Sequence, residues 1–358
     1  MKRLKKISIC LGGLVIVMSL VTLLSQWMAF TPKIQDTNGK AKKGSITELT
    51  KVELNGRKEW ISIRGEDTNQ PVLLFLAGGP GGSQMAAVRH ELGALEEHFI
   101  VVNWDQPGAG KSYSVAPKNS LTVEDYIADG IALTEYLCKR FNQQKIYLVG
   151  ESWGSALAVF MAKEQPQYYE AVIGTGQMID FLETEMIDYE KAKEIARAAG
   201  DTKKLSKLEE NGYPPYYGAD VTWKSAEYLN YLGAVMQKNP EIYNGGYNTF
   251  RDLFSSEYGL LDKINYLRGI IDTFNYVYPQ LYDVDLRVDY AKLEVPIYFF
   301  IGRHDINAPV ALVEDYMEIL EAPYKEMVWF EHSGHSPWIS ENEKFVEELV
   351  CIKESIKA

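Results

Sequence analysis

The fold of this chain can be inferred outward from residues 149–155, Val149-Gly150-Glu151-Ser152-Trp153-Gly154-Ser155. The apolar run at residues 145–149 is typical of a short buried strand, and residues 156–163 favour a helix. A Gly-x-Ser-x-Gly motif between a strand and a helix turns the chain so sharply that the serine adopts a strained conformation. The flanking glycines leave room where the strand and the helix cross. The motif therefore predicts that Ser152 is an exposed nucleophile at the positive end of a helix.

Composition narrows the class of protein. The chain has 358 residues, of which 46% are hydrophobic, and its formal net charge is −12 with a pI near 5.1. This length predicts two domains, or one domain with a large insertion. Phosphate backbones are bound by clustered Lys and Arg, so the acidic balance argues against a nucleic-acid partner.

The N-terminal segment has the pattern of a membrane anchor. Residues 7–30 contain no charged side chain and follow four basic residues, Lys2, Arg3, Lys5 and Lys6. The run exceeds the roughly 20 apolar residues needed to cross a bilayer, and it lacks the cleavage site of a secretory signal peptide. We therefore expect an uncleaved transmembrane signal-anchor at residues 1–30. Because basic flanks stay in the cytoplasm, the protein would be single-pass in the cell membrane, with its catalytic domain outside.

Hydrophobic periodicity divides the rest of the chain. Residues 31–45 are polar and predict a linker. Strand patterns alternate with helix patterns over residues 46–178 and again over residues 294–358. Residues 179–293 between them have a helical pattern interrupted by loops. We therefore expect an α/β fold, with a mostly parallel sheet flanked by helices and a helical cap inserted at residues 179–293.

Two loops after the cap supply partners for Ser152. A serine hydroxyl needs a base to remove its proton, and the base needs an orienting acid. Asp305 follows a predicted strand at residues 295–301, and His335 follows another at residues 325–330. The carboxyl ends of parallel strands meet at one edge of a sheet, where functional side chains collect. We therefore predict Ser152 as nucleophile, Asp305 as acid and His335 as base.

His332 is the competing candidate for the base. His335 is preferred because it lies further into its loop, from which the reach to Ser152 is easier. Together the two histidines also form an H-x-x-H pattern, which could bind a metal. That pattern lacks the nearby carboxylate or thiol cluster usual for zinc, so we predict no metal.

A developing oxyanion needs preorganised N–H donors. The N–H of Trp153 is one candidate, and the glycine-rich loop after the strand ending at Leu76 supplies the other, with Gly79 preferred to Gly78. Residues 105–112 are similar to a phosphate-binding loop, but Asp105 stands where that motif requires glycine. A nucleotide site is therefore not favoured.

Five segments together resemble the prolyl iminopeptidase branch of the α/β-hydrolases. The resemblance covers residues 46–175 and residues 293–358. It implies an α/β-hydrolase fold, a helical cap over the active site, and the predicted roles for Ser152, Asp305 and His335. It implies no metal and no organic cofactor. The matching segments are residues 78–82, 104–112, 150–155, 302–305 and 333–336.

The chain also departs from the family pattern. Ala77 stands where the family usually has histidine, and Pro107 stands where it usually has arginine. Members that remove N-terminal proline hold the free amine with glutamates of the cap. The candidates here are Glu183, Glu185 and Glu227, for which a solvated helix face is the alternative interpretation.

Motifs and resemblance together predict a serine hydrolase that forms an acyl-enzyme. A proline iminopeptidase-like aminopeptidase acting on short peptides fits the resemblance. The alternatives are a carboxylesterase or amidase of small substrates with the same triad, and a non-catalytic hydrolase fold that serves as a binding protein.

Overall fold

The centre of the fold is an eight-stranded sheet in the order β1-β2-β4-β3-β5-β6-β7-β8. The computed structural model describes residues 2–357, and side chains over residues 11–356. The first two strands pair antiparallel with each other, β2 pairs antiparallel with β4, and the remaining pairs are parallel. The strands are β1 Ile46–Leu54, β2 Arg57–Gly65, β3 Val72–Leu76, β4 Ile100–Asp105, β5 Ile146–Glu151, β6 Tyr169–Thr175, β7 Ile297–Gly302 and β8 Lys325–Phe330.

Helices connect these strands and form the cap. Six lie before or within the first part of the cap: α1 Lys2–Trp27, α2 Met85–Glu91, α3 Val123–Phe141, α4 Trp153–Glu164, α5 Phe181–Ala198 and α6 Thr202–Asn211. The others are α7 Val221–Lys238, α8 Thr249–Leu253, α9 Leu260–Val277, α10 Leu286–Asp289, α11 Val310–Ile319, α12 Pro337–Ser340 and α13 Asn342–Lys357.

Side chains of the central strands alternate between two cores, as strand geometry requires. Leu74 of β3 belongs to the core that includes α3 and α4. Its neighbours Leu73 and Phe75 belong to the opposite core, which includes α2 and α13. Every residue of β3, β4, β5 and β7 is buried. Continuous burial explains why these strands appear in the sequence as unbroken apolar runs.

Helices α5 to α10 lie between β6 and β7 in the chain, where the sequence predicted a helical cap. A buried polar cluster joins α5 and α7 to the turn that follows α9. The carboxylate of Glu185 on α5 accepts hydrogen bonds from Ser225 and Tyr228 on α7 and, at 2.8 Å, from Tyr278. Burial of this carboxylate is tolerated because its oxygens are hydrogen-bonded.

The predicted membrane anchor at residues 1–30 is wrong. Among the residues that the structure describes, no helix combines the length and the apolarity needed to cross a bilayer. The last turn of α1, which ends at Trp27, instead makes polar contacts with the cap. Gln26 Nε2 donates to Asp262 at 2.7 Å, and Leu260 N donates to Ser25 Oγ at 3.0 Å.

The predicted location in the cell membrane is wrong for the same reason. Single-pass insertion in the cell membrane, an outside catalytic domain and a membrane partner all depended on that span. The orientation argument used four basic residues whose side chains lie outside the described residues, Lys2, Arg3, Lys5 and Lys6.

Candidate active site

Ser152 occupies a strained turn between β5 and α4. Its backbone has φ 54° and ψ −122°, and positive φ is uncommon for a non-glycine residue. Around it, a Cβ at Gly150 would overlap the carbonyl oxygen of Gly154, and a Cβ at Gly154 would overlap that of Leu76. The strand and the helix can therefore cross only with glycine at these positions. Ser152 consequently stands at the N-terminus of α4, whose first N–H groups have no intrahelical partner.

Asp305 and His335 meet across two neighbouring loops. His335 Nδ1 lies 2.9 Å from Asp305 Oδ2. The other carboxylate oxygen, Oδ1, accepts the backbone N–H groups of Asn307 at 2.8 Å and Ala308 at 3.0 Å. These bonds fix the carboxylate, which in turn fixes the orientation of the imidazole.

The charge of Asp305 also changes how His335 titrates. Burial lowers the pKa of His335, but the charge and hydrogen bond of Asp305, together with the charge of Glu151, raise that pKa to about 9. The neutral imidazole, which can accept a proton, therefore becomes more populated as the pH rises.

Ser152 and His335 both lie against the end of β6. Ser152 N donates to Thr175 O at 3.0 Å. A Cβ at the next residue, Gly176, would lie 2.8 Å from His335 Cε1. Within the described residues, no hydrogen bond joins the Ser152 hydroxyl to the His335 ring. Catalytic hydrogen bonds are often long before substrate binds.

A cavity of about 270 Å³ opens beside the histidine. The core contributes Asn307 and residues 334–336, and the cap contributes Met236 and Tyr247. The space between cap and core is therefore lined on one side by the predicted base.

The predicted oxyanion donors are backbone N–H groups from two segments, the glycine loop at Gly78 and Gly79 and the first residue of α4, Trp153. Gly78 N donates to Gln84 Oε1 at 3.3 Å and is already used within the protein. The Trp153 side chain is buried, and its Nε1 donates to Gln106 Oε1 at 2.9 Å. Gln106 Nε2 in turn donates to the carbonyl of Ala77 at 3.1 Å. Gln106, which the sequence analysis did not single out, thus links the glycine loop to the start of α4.

His332, the competing base, makes other contacts. Its ring stacks on Tyr243, with centroids 4.1 Å apart, and its Nδ1 lies 3.1 Å from the carbonyl of Glu241. Across the part of the chain that the structure describes, no group of three or more His, Cys, Asp or Glu side chains is arranged to hold a metal ion.

The three cap glutamates have partners within the protein. Glu183 pairs with Arg287 at 2.6 Å, and Glu227 pairs with Lys204 at 2.7 Å. Glu185 is fully buried in the hydroxyl cluster described above. None of the contacts described for these side chains involves Ser152.

Asp188 is a cap carboxylate that sequence reasoning missed. It lies one helical turn after Glu185, is fully buried, and has no hydrogen-bond partner on either oxygen among the described residues. Burial, and then the charges of Glu185 and Asp305, raise the pKa of Asp188 well above its ordinary value. A sequence pattern cannot distinguish such a residue from a solvated acid on the same helix.

Comparison with known proteins defines the family. A family profile described as α/β hydrolase fold matches residues 71–341. The chain belongs to this family.

"Probable aminopeptidase YbaC" of Bacillus subtilis is similar to it, with 32% identity over 317 residues, which cover 86% of this chain and 96% of that protein. A proline iminopeptidase of Clostridium botulinum is 24% identical over 82% of this chain and 93% of that protein.

A solved structure has the same fold. The proline iminopeptidase of Mycobacterium smegmatis superposes with a TM-score of 0.61 and 16% identity, covering 86% of this chain and 99% of that one. Taken together, the comparisons confirm the predicted α/β-hydrolase fold, the resemblance to prolyl iminopeptidases and the prediction of a hydrolase enzyme.

Proposed function

We propose that the chain is a serine hydrolase that works through an acyl-enzyme. His335 removes the proton of Ser152 as Oγ attacks the substrate carbonyl carbon. The resulting tetrahedral intermediate collapses, and His335 returns the proton to the leaving amine or alcohol. Water then attacks the acyl-enzyme with His335 again as base, which releases the acid and restores Ser152. The observation that carries this proposal is the 2.9 Å contact between His335 and Asp305 beside the strained turn of Ser152.

We assign the oxyanion site to the N–H groups of Trp153 and Gly79. Trp153 is the first residue of α4, where helix geometry leaves the N–H without an intrahelical acceptor. Gly79 is preferred because the N–H of Gly78 is engaged by Gln84. Two such donors stabilise negative charge as it develops on the carbonyl oxygen.

Within this class we infer an aminopeptidase that acts on short peptides. The names of the relatives from Bacillus subtilis and Clostridium botulinum support this substrate class. The residue we propose for holding the substrate amine is Asp188, in place of the glutamates predicted from sequence. Among the described residues its buried carboxylate has no hydrogen-bond partner, so an ammonium group would stabilise its ionised form.

An active-site probe tests the nucleophile. A fluorophosphonate should label the purified full-length chain at Ser152, and Ser152→Ala should abolish labelling. A protein that is not labelled would support a non-catalytic binding role. Labelling that survives in Ser152→Ala would show that another residue is the nucleophile.

A substrate panel then tests the chemistry. We expect turnover of proline β-naphthylamide, and a KM for it that rises about tenfold or more in Asp188→Asn, as expected for a lost charged contact. The same variant should leave the KM for p-nitrophenyl butyrate unchanged, because that ester has no amine. Glu183→Gln, whose carboxylate already pairs with Arg287, serves as the matched control.

A carboxylesterase or amidase is the second candidate. The contacts of the cap glutamates favour this function, because a carboxylate that is already paired within the protein is not available to hold a substrate amine. Glu183 and Glu227 pair with basic side chains, and Glu185 accepts hydrogen bonds from hydroxyl groups. Turnover of the butyrate ester without turnover of the proline amide would select this function.

A further inference from the structure

The buried side chain of Glu151, directly before the nucleophile, receives hydrogen bonds from three parts of the active site. Ser336, the residue after His335, donates from Oγ to Glu151 Oε1 at 2.7 Å. Tyr247, from the cap, donates from Oη to the same oxygen at 2.5 Å. On the second oxygen, Oε2, Gln84 donates from Nε2 at 2.5 Å. The histidine loop, the cap and the segment after the glycine loop therefore converge on one carboxylate.

Gln84 extends these contacts to the glycine loop itself. Its Oε1 accepts the N–H of Gly78 at 3.3 Å, and its Nε2 also lies 2.6 Å from Tyr247 Oη. A Cβ at Gly78 would lie 2.7 Å from Glu151 Oε2, so the loop backbone packs directly on the carboxylate. Glu151 is only 2% exposed, and a buried carboxylate is costly unless its oxygens are hydrogen-bonded.

We propose that Glu151 is a positioning residue. It holds the His335 loop and the glycine loop in position beside Ser152, and it joins both loops to the cap through Tyr247. The inference rests on the proposed function, because it assigns roles around the same nucleophile. Glu151 precedes Ser152 in the chain, and it accepts a hydrogen bond from Ser336, the residue after His335. Glu151 therefore constrains the positions of the nucleophile and the base together. Because Tyr247 belongs to the cap, its hydrogen bond also joins the cap to the same carboxylate.

The position of Glu151 also has an electrostatic consequence that can be measured. Two carboxylates act on the His335 ring, Asp305 through its hydrogen bond and Glu151 through its charge, and both oppose the lowering of the His335 pKa by burial. The cap faces Glu151 with the hydroxyl of Tyr247. Removing the charge of Glu151 makes the imidazolium less stable, so His335 becomes neutral at lower pH. Loss of packing alone would not move this titration.

The test measures the rate of fluorophosphonate labelling of the full chain against pH, over the range from about pH 5 to about pH 10. In Glu151→Gln we expect the plateau rate to fall about 10- to 100-fold, the range typical of a misplaced catalytic group. We also expect the midpoint of the acid limb to move to lower pH by about half a unit or more. Ser336→Ala and Tyr247→Phe, which each remove one donor and no charge, should lower the plateau without moving the midpoint.

Glu331→Gln is the matched control. Glu331 lies at the start of the same loop, but its side chain is exposed and pairs with Arg303 at 2.8 Å. This variant should keep the wild-type plateau and midpoint. A Glu151→Gln protein whose plateau and midpoint both match wild type would overturn the inference, and a lower plateau with an unmoved midpoint would reduce Glu151 to a packing role. Wild type that fails to label at Ser152 would instead refute the proposed function.

Discussion

At the scale of single residues, the active site depends on one charged hydrogen bond. Asp305 is held by backbone N–H groups on one oxygen and contacts His335 with the other. A carboxylate in this position selects the imidazole tautomer that presents Nε2 to the nucleophile. In the proposed mechanism it would also stabilise the imidazolium that forms when Ser152 loses its proton.

Asp305→Asn tests this arrangement. An amide no longer stabilises the imidazolium, and it can present its NH₂ group to Nδ1 and so favour the wrong tautomer. We expect kcat to fall about 10³- to 10⁴-fold. Because wild-type activity should rise with pH through the raised pKa of His335, near 9, the acid limb in the variant should shift to lower pH.

The control for this experiment is Asp315→Asn. Asp315 lies on the next helix, α11, and its side chain is 63% exposed. A pH–rate profile unchanged from wild type is expected for it. If Asp305→Asn retained wild-type kcat and midpoint, Asp305 would not be the acid.

At the scale of secondary-structure elements, the nucleophile turn depends on how closely α4 approaches the sheet. Gly154 of α4 faces the carbonyl of Leu76 at the end of β3, and Gly150 of β5 faces the backbone of Gly154. Side-chain contacts hold the same region, since Ser155 Oγ accepts the N–H of Met178 at 3.1 Å. The positive φ of Ser152 persists because these contacts exclude other conformations of the backbone.

Gly154→Ala should therefore be strongly destabilising. The added Cβ would overlap the Leu76 carbonyl and lie 2.8 Å from that of Ala77, which predicts a loss of about 3 kcal/mol in the free energy of unfolding. Gly233→Ala in α7 is the matched substitution, because a Cβ there meets nothing within 4 Å. It should stabilise the helix by up to about 1 kcal/mol. Urea unfolding of both variants measures the difference, and equal stabilities would contradict the close packing.

Local patterns made much of the sheet predictable, and they also supplied the candidate residues of the site. Buried strands appear as continuous apolar runs, and Ser152 and Asp305 each follow such a run, whereas His335 follows β8, which is only partly buried. By contrast, Glu151 and Asp188 acquire their surroundings from distant segments, which no local pattern reveals. The membrane anchor failed for a related reason, because an uncharged run does not show what the last turn of a helix contacts.

At the scale of the whole molecule, three distant segments meet at Asp262, near the start of α9. Gln26 of α1 donates to one carboxylate oxygen at 2.7 Å, and Lys111 of the core donates to the other at 2.6 Å. Gly259 N, at the start of the same helix, donates to that second oxygen at 3.0 Å. The side chains of Lys111 and Asp262 are only 1% and 5% exposed. This junction therefore links the cap to the hydrolase core.

Lys111→Met tests the strength of the junction. Removing one partner leaves a buried carboxylate without its cation, which should lower the free energy of unfolding by about 3–5 kcal/mol. Lys191→Met removes a lysine from an exposed pair with Glu194 and should cost less than about 1 kcal/mol. Urea unfolding followed by circular dichroism gives both values.

A double variant checks the cause. Lys111→Met combined with Asp262→Leu removes both charges and should recover part of the loss. No recovery would indicate that packing of the lysine stem, and not the unpaired charge, dominates.

The cavity beside His335 also indicates where a substrate can enter. On the cap side it is bordered by the loop of residues 239–248, which contributes Ile242 and Tyr247. Entry should therefore proceed past that loop. A disulfide or bulky label placed on the loop should slow product release, whereas the same modification near Asp262 should leave turnover unchanged.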